Sequence, residues 1–364
     1  MNYRLALAIP CLMAGLQACT VHDCANPRPQ DVVRCHIGKV RQAPLESVLI
    51  EQTSEPGYVF RRLQMVSQVW DPTPVVEPRR WEHDVELHIP GNAVPGNALL
   101  VVNNGVRHGP AQNPDYTREV LREVALKTQV AVVMISDVPN QYVTFSDNEK
   151  PLREDDAVAH TWAHALRGAV PELPLHVPMA AAASRAMDLA EQELAKQGLT
   201  VDRFIITGAS KRGWSAWLTA LADERVMAIV PSVIDVADTS GMLAGLRKRY
   251  GGHWPLALGP YQQAGVLQQL GTPAFDQLMA TMDPMQYLNE KGQRLAIPKY
   301  LVSASGDDFF APDPITGYQQ RLPGQTSLRV LPNSDHGGVR QAVVSTLVPA
   351  LTRLRDGTPL PSVQ

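Results

Sequence analysis

The chain has 364 residues, 45% of them hydrophobic and 19% charged, enough to bury a sizeable core in one large domain or two. Its formal net charge is −3 with no long run of like charge, which argues against a nucleic-acid partner and against a charged binding tail.

Met1 to Ala18 carries one basic residue, Arg4, then the apolar stretch Leu5 to Leu16, and ends in Leu16-Gln-Ala-Cys19. This pattern predicts a signal peptide over residues 1–18, too short to span a bilayer, and nothing downstream reaches the length of a transmembrane helix. The Leu-x-Ala-Cys ending resembles a bacterial lipobox, in which Cys19 becomes the lipidated first residue. Thr20 after it favours the outer membrane, facing the periplasm; the less usual Gln17 leaves a periplasmic or secreted protein as the alternative. A membrane therefore enters only through that anchor. Cleavage removes Cys11 and leaves Cys24 and Cys35 to form a disulfide in an oxidising compartment. His22 and His36 flank this pair, but the spacing matches no common zinc finger, and the disulfide is preferred.

Residues 19–60 are polar, proline-bearing and weakly periodic, and are expected to be a tether and irregular lead-in to a domain over 61–355. Val85 to Ile89 alternates like a half-buried strand. Ala98 to Val102 and Val130 to Ile135 are continuous apolar runs, as in strands covered on both faces. Helices are predicted at Thr117–Lys127, Asp155–Leu166 and Pro178–Lys196, the last with an early proline suited to a helix start. Strand Arg203–Thr207, helix Lys211–Leu221 and strand Val226–Val230 follow. Residues 236–292 are too long for a simple connection and are expected to form a lid, whose Tyr250, Trp254, Tyr261 and Phe275 are pocket candidates. Strands at Lys299–Ser303 and Leu328–Leu331 and a helix at Val339–Leu354 close the domain, leaving a tail over 356–364. The alternation predicts an α/β fold with a mostly parallel, doubly covered sheet.

Phe204 to Trp217 is a strand that breaks at Gly208 and re-forms as a helix, with Ser210 at the bend. Such an elbow exposes a serine hydroxyl above the sheet and aims the next N–H, that of Lys211, at a developing oxyanion. The match to Gly-x-Ser-x-Gly is imperfect: Arg212 stands two after the serine and the glycine follows at Gly213. A nucleophilic serine needs a base and an orienting acid. Asp307 and Asp308 follow one predicted strand and His336 the next, in the order serine, acid, histidine and at strand ends, where open sheets build their sites. Asp308 is the alternate acid, and Asp235, after the strand that succeeds the elbow, is a further one. Asn104 and Gly105, after strand Ala98–Val102, are the best-placed source of a second oxyanion donor. His160 and His164 share one helix face but lack the glutamate of the zinc-protease helix, so they are taken as a surface pair. Nothing in the sequence calls for a metal or another cofactor.

With these residues assembled, the sequence resembles the PhoPQ-activated pathogenicity-related family, which includes autocrine proliferation repressor proteins. The resemblance runs from about Val69 to Val348. It is carried by Pro139-Asn-Gln141, Glu154-Asp155 with Thr161-Trp162, Gly208-Ala-Ser-Lys-Arg-Gly-Trp214, Val233-Ile-Asp235, Met282-Asp-Pro284 with Tyr287, Gly306-Asp307 with Phe309-Phe310, and Pro332-Asn333 with His336-Gly337. The family habitually has Lys-Arg after the serine, and its Gly-Asp-Glu-Phe-Phe, where this chain has Gly-Asp-Asp-Phe-Phe, tips the acid toward Asp307. The resemblance implies an α/β-hydrolase fold and a serine hydrolase that cleaves an ester or amide through an acyl-serine intermediate. The substrate is then a small-molecule ester or a peptide. Glu154, Asp155, Trp214 and Asp235 are the substrate-pocket candidates, the two acids as a receptor for a substrate amine if the enzyme is a dipeptidyl-peptidase-like aminopeptidase. The competing reading is a catalytically idle binding or signalling protein on the same scaffold.

Overall fold

The computed structural model describes residues 24–107, 112–312 and 315–361. The signal segment, the lipidation candidate Cys19, His22 and the last three residues of the tail lie outside them.

The segment expected to be an irregular lead-in is regular. Helix α1 (Val32–Val40) is followed by a long hairpin, β1 (Glu46–Glu55) and β2 (Tyr58–Val69). Its sequence carries little apolar periodicity because β1 is an exposed edge strand. Short β3 (Val76–Glu77) precedes β4 (Arg80–Pro90), β5 (Gly96–Val102), α2 (Arg118–Thr128) and β6 (Ala131–Ile135). Thr117 caps α2, accepting from Val120 N–H at 3.4 Å. The hairpin β7 (Val143–Phe145) and β8 (Asn148–Leu152) leads into α3 (Glu154–Ala165) and α4 (His176–Ala195). Next come β9 (Val201–Ala209), α5 (Lys211–Ala222) and β10 (Val226–Ser232). The expected lid holds α6 (Thr239–Arg249), α7 (Gly259–Gln263), α8 (Pro273–Met282) and α9 (Leu288–Lys291). The chain ends with β11 (Lys299–Ala304), α10 (Ile315–Tyr318), β12 (Thr326–Leu331) and α11 (Val339–Arg355).

Among the described residues the main sheet has nine strands in the order β1-β2-β4-β6-β5-β9-β10-β11-β12, and β3, β7 and β8 form a small second sheet. Pairing is antiparallel from β1 to β6 and parallel from β6 to β12. The continuous apolar runs follow from two-sided cover. Ala98, Leu100 and Val102 of β5 point into one core with α1, α4 and α5, while Leu99 and Val101 point into the other with α2 and α11. Each such fully buried Val or Leu side chain contributes about 1.5–3 kcal/mol. The half-buried strand expected at Val85–Ile89 is instead buried on both faces. Its polar members each find a partner on a neighbouring element: Glu86 Oε1 accepts from Arg118 at 2.8 Å, and His88 Nδ1 lies 2.8 Å from the Tyr58 hydroxyl.

Register sets the position of the site. Ala209 pairs with Ser232, Ser232 with Val302, and Val302 with Arg329. The carboxyl ends of β9, β10, β11 and β12 are therefore level, and the loops that follow them open on one rim of the sheet. No helix among the described residues is long and apolar enough to cross a membrane.

Candidate active site

At the end of β9 the chain turns at Ser210 with φ 55° and ψ −129°, then enters α5. A non-glycine residue in this region is strained by about 1–3 kcal/mol. Two glycines allow the bend. A Cβ on Gly208 would lie 2.7 Å from the Arg212 carbonyl carbon, and one on Gly213 would lie 2.6 Å from Ile234 Cγ2 and 2.9 Å from Gly208 O. The glycine that comes one residue late in the sequence thus packs directly on the first one. Ser210 N–H donates to Ser232 O at 2.8 Å, and Trp214 N–H to Ser210 O at 3.0 Å, fixing the turn from both sides.

The loop after β11 brings Asp307, not Asp308, to His336. His336 Nδ1 lies 2.9 and 3.0 Å from the two Asp307 carboxylate oxygens. Asp307 Oδ1 also accepts from Phe309 N–H at 2.8 Å and Phe310 N–H at 3.0 Å, so the loop's own backbone aims the carboxylate. Asp307 is buried and Asp308 exposed. The Phe309 ring sits 4.9 Å from the imidazole and borders the same cavity as Ser210. No hydrogen bond joins Ser210 Oγ to His336 among the described residues; such bonds often tighten only when substrate is bound.

That cavity, of about 40 Å³, is lined by Ser210, Trp162, Trp214, Leu243, Tyr261 and Phe310 among others. Of the four lid aromatics expected to line it, only Tyr261 does so. Phe275 is fully buried elsewhere, Tyr250 is exposed, and Trp254 packs under the Arg247 guanidinium. Trp214 holds its place by donating Nε1–H to Met282 O at 2.8 Å.

Lys211 and Arg212 carry more than a backbone donor. The buried Lys211 ammonium lies 2.8 Å from Glu154 and 3.0 Å from Asp155 at the start of α3, and Arg212 grips Glu154 with both terminal nitrogens. Tyr261 O–H donates to Asp155 at 2.9 Å. Burial by itself would raise the Glu154 carboxyl, but Arg212 and Lys211 outweigh it and hold that carboxyl well below the usual range. Two carboxylates thus face two cations. The expectation that Glu154 and Asp155 form an open acidic receptor for an amine is corrected accordingly.

Two further expectations change. Asn104 gives its N–H to Asn103 Oδ1 at 3.1 Å, and its side chain holds the backbone of Asn113 and Asp115, so it does not present a second donor to the Ser210 cavity. Gly105, at φ 153°, backs onto Asp137 and accepts from Gln141 Nε2 at 2.7 Å, beside a different hollow. Asp235 is not a wall of the cavity at all. It is 1% exposed beneath the lid, where burial pushes its carboxyl up to about 7; the Tyr318 hydroxyl faces it outside good hydrogen-bond geometry. His36, considered as a metal ligand, is buried with Nε2 2.8 Å from Gln68 Oε1, and Cys24 and Cys35 form the expected disulfide.

A mostly parallel sheet flanked by helices, with a strained serine after one strand and an acid–histidine pair after the last two, defines this chain as an α/β-hydrolase fold. Solved esterase structures share that fold. Acetyl xylan esterase 1 from Thermoanaerobacterium sp. is similar at TM-score 0.53 and 13% identity, over 89% of this chain and 95% of its own. An acetyl xylan esterase from Paenibacillus sp. R4 is similar at TM-score 0.53 and 14% identity, over 88% and 92%. The profile of the PhoPQ-activated pathogenicity-related protein family matches residues 33–364, and the chain belongs to that family. Autocrine proliferation repressor protein A of Dictyostelium discoideum is 28% identical over 368 residues, spanning all of this chain and 70% of that protein.

Proposed function

We propose that the protein is an exported serine esterase that transfers a small, apolar acyl group from its substrate to Ser210 and then to water. The observation that carries this reading is the His336–Asp307 pair on the same rim as the strained Ser210, next to a cavity with room for little more than a short acyl chain. In the reaction Ser210 Oγ attacks the ester carbonyl while His336 Nε2 takes its proton. Asp307 holds Nδ1–H and so fixes the tautomer with Nε2 free to accept. The oxyanion is received by Lys211 N–H, at the positive end of α5. The imidazolium then protonates the departing alkoxide, and a water activated by the same histidine hydrolyses the acyl-serine.

An ester is favoured over a peptide amine because the acidic pair beside the cavity is already matched by Lys211 and Arg212, leaving no surplus negative charge for a substrate ammonium. Export is supported by the disulfide, which persists in oxidising compartments. The lipid anchor at Cys19 belongs to the same proposal, and palmitate labelling lost in Cys19→Ala would establish it.

The test is labelling by a fluorophosphonate together with turnover of p-nitrophenyl acetate. Labelling lost in Ser210→Ala is expected, with kcat/KM down by about 10⁴ or more in Ser210→Ala and His336→Gln and by about 10⁴ in Asp307→Asn. Asp308→Asn is expected to stay within severalfold of the parent. Absence of labelling would leave the scaffold a binding protein, and release from dipeptidyl amides without ester turnover would replace the esterase with a peptidase.

A further inference from the structure

The turn between β7 and β8 carries Asp147 over the middle of α3, where it faces both histidines that the sequence left as a surface pair. One Asp147 oxygen lies 3.1 Å from His160 Nε2 and the other 2.6 Å from His164 Nε2. The ligand atoms of the three side chains lie within 4.8 Å of one another. We propose that Asp147, His160 and His164 bind one divalent ion of the zinc class through two imidazole nitrogens and one carboxylate oxygen, with the remaining position taken by water.

The donor set suits a borderline cation. Two imidazoles and a carboxylate are zinc ligands, and an i, i+4 pair on one helix face converges on a single point. The rings are placed in advance: Phe145 packs at 4.5 Å from the His160 ring, and the two imidazole centroids are 4.8 Å apart. All three side chains are partly exposed beside a hollow bordered by Asp147, His164 and Arg167, so an ion can enter and keep water. The exposed Arg167 opposes a cation, and the Asp147 carboxylate offsets it, so the affinity expected is micromolar.

The ion would be a clamp rather than a catalyst. His164 stands ten residues along α3 from Glu154, about 15 Å at helical rise. Binding would instead pin the β7–β8 hairpin to α3, whose first-turn carboxylates Glu154 and Asp155 pair with Lys211 and Arg212 of α5. It is independent of whether Ser210 is a nucleophile.

The probe is Zn²⁺, titrated calorimetrically into the purified chain after stripping with a chelator, with thermal unfolding followed in parallel. One ion per chain is expected, raising the unfolding midpoint by roughly 4 °C at 100 times the dissociation constant. In the double variant His160→Gln, His164→Gln the affinity should fall by about 10-fold or more, and the midpoint shift at the same Zn²⁺ concentration should shrink to about half or less. No binding up to millimolar Zn²⁺, or binding of unchanged affinity in the double variant, overturns the proposal. If the double variant does not fold, Asp147→Asn in the exposed turn decides in its place: a loss of about 10-fold or more supports the site, and an unchanged affinity refutes it.

Discussion

The bend at Ser210 depends on what its neighbours lack. Gly208 and Gly213 touch backbone and Ile234 where a side chain would begin, whereas a Cβ on Gly38, inside α1, would meet nothing within 4 Å. Gly213→Ala should therefore destabilise the protein by about 1–3 kcal/mol and depress serine labelling. Gly38→Ala should stabilise it by about 0.5–1 kcal/mol. Chemical denaturation of the two variants checks both signs, and a neutral Gly213→Ala would mean the elbow tolerates repacking. That Ser210, Asp307 and His336 sit on one rim was legible in the sequence because each follows a strand and strands announce themselves by apolar runs. The surroundings of Asn104 were not. Asn104 has the right place in the chain, but its N–H is spent on Asn103, a choice of hydrogen-bond partner that no spacing encodes.

At the scale of elements, the helical insertion from α6 to α9 was visible as a stretch too long to be a loop, yet which of its side chains face the cavity was not, since four aromatics look alike in sequence. Its seat contains the buried Asp235, whose ordinary value of 3.8 rises to about 7 in the fold, mainly through burial. Between those values the unfolded chain releases the proton while the folded chain keeps it. The native state then binds more protons, and stability falls as pH rises. The effect is of order 2–4 kcal/mol by pH 8. Asp283, pushed up to about 6 by burial, adds in the same direction. Asp235→Asn should accordingly narrow the gap between unfolding midpoints at pH 5 and pH 8. An unchanged gap would show that Asp235 ionises freely under the lid. The hairpin carrying Asp147 escaped the sequence reading altogether, because β8 is a short, exposed, polar strand.

Across the whole molecule, the N-terminal segment acts as a strap. The Cys24–Cys35 bond anchors it to α1, Arg28 pairs with Glu290 at 2.7 Å, and Lys291 pairs with Asp31 at 2.9 Å, joining the start of the domain to the end of the lid. A loop of this length contributes about 2–3 kcal/mol. Reduction by dithiothreitol should lower the unfolding midpoint of the parent and leave a Cys24→Ala, Cys35→Ala variant unmoved; equal midpoints with and without reductant in the parent would discount the strap. Sequence reading gave this region no structure, because its strand β1 is exposed and its ion-pair partners lie some 260 residues away. The tail is tethered as well, with Leu360 N–H held by Gln325. The quartet of Glu154, Asp155, Lys211 and Arg212 has a consequence for descent. A lineage that drifted toward the commoner glycine at position 212 would strip Glu154 of a partner and loosen α3, so the elbow and the start of that helix can be inherited or abandoned only together.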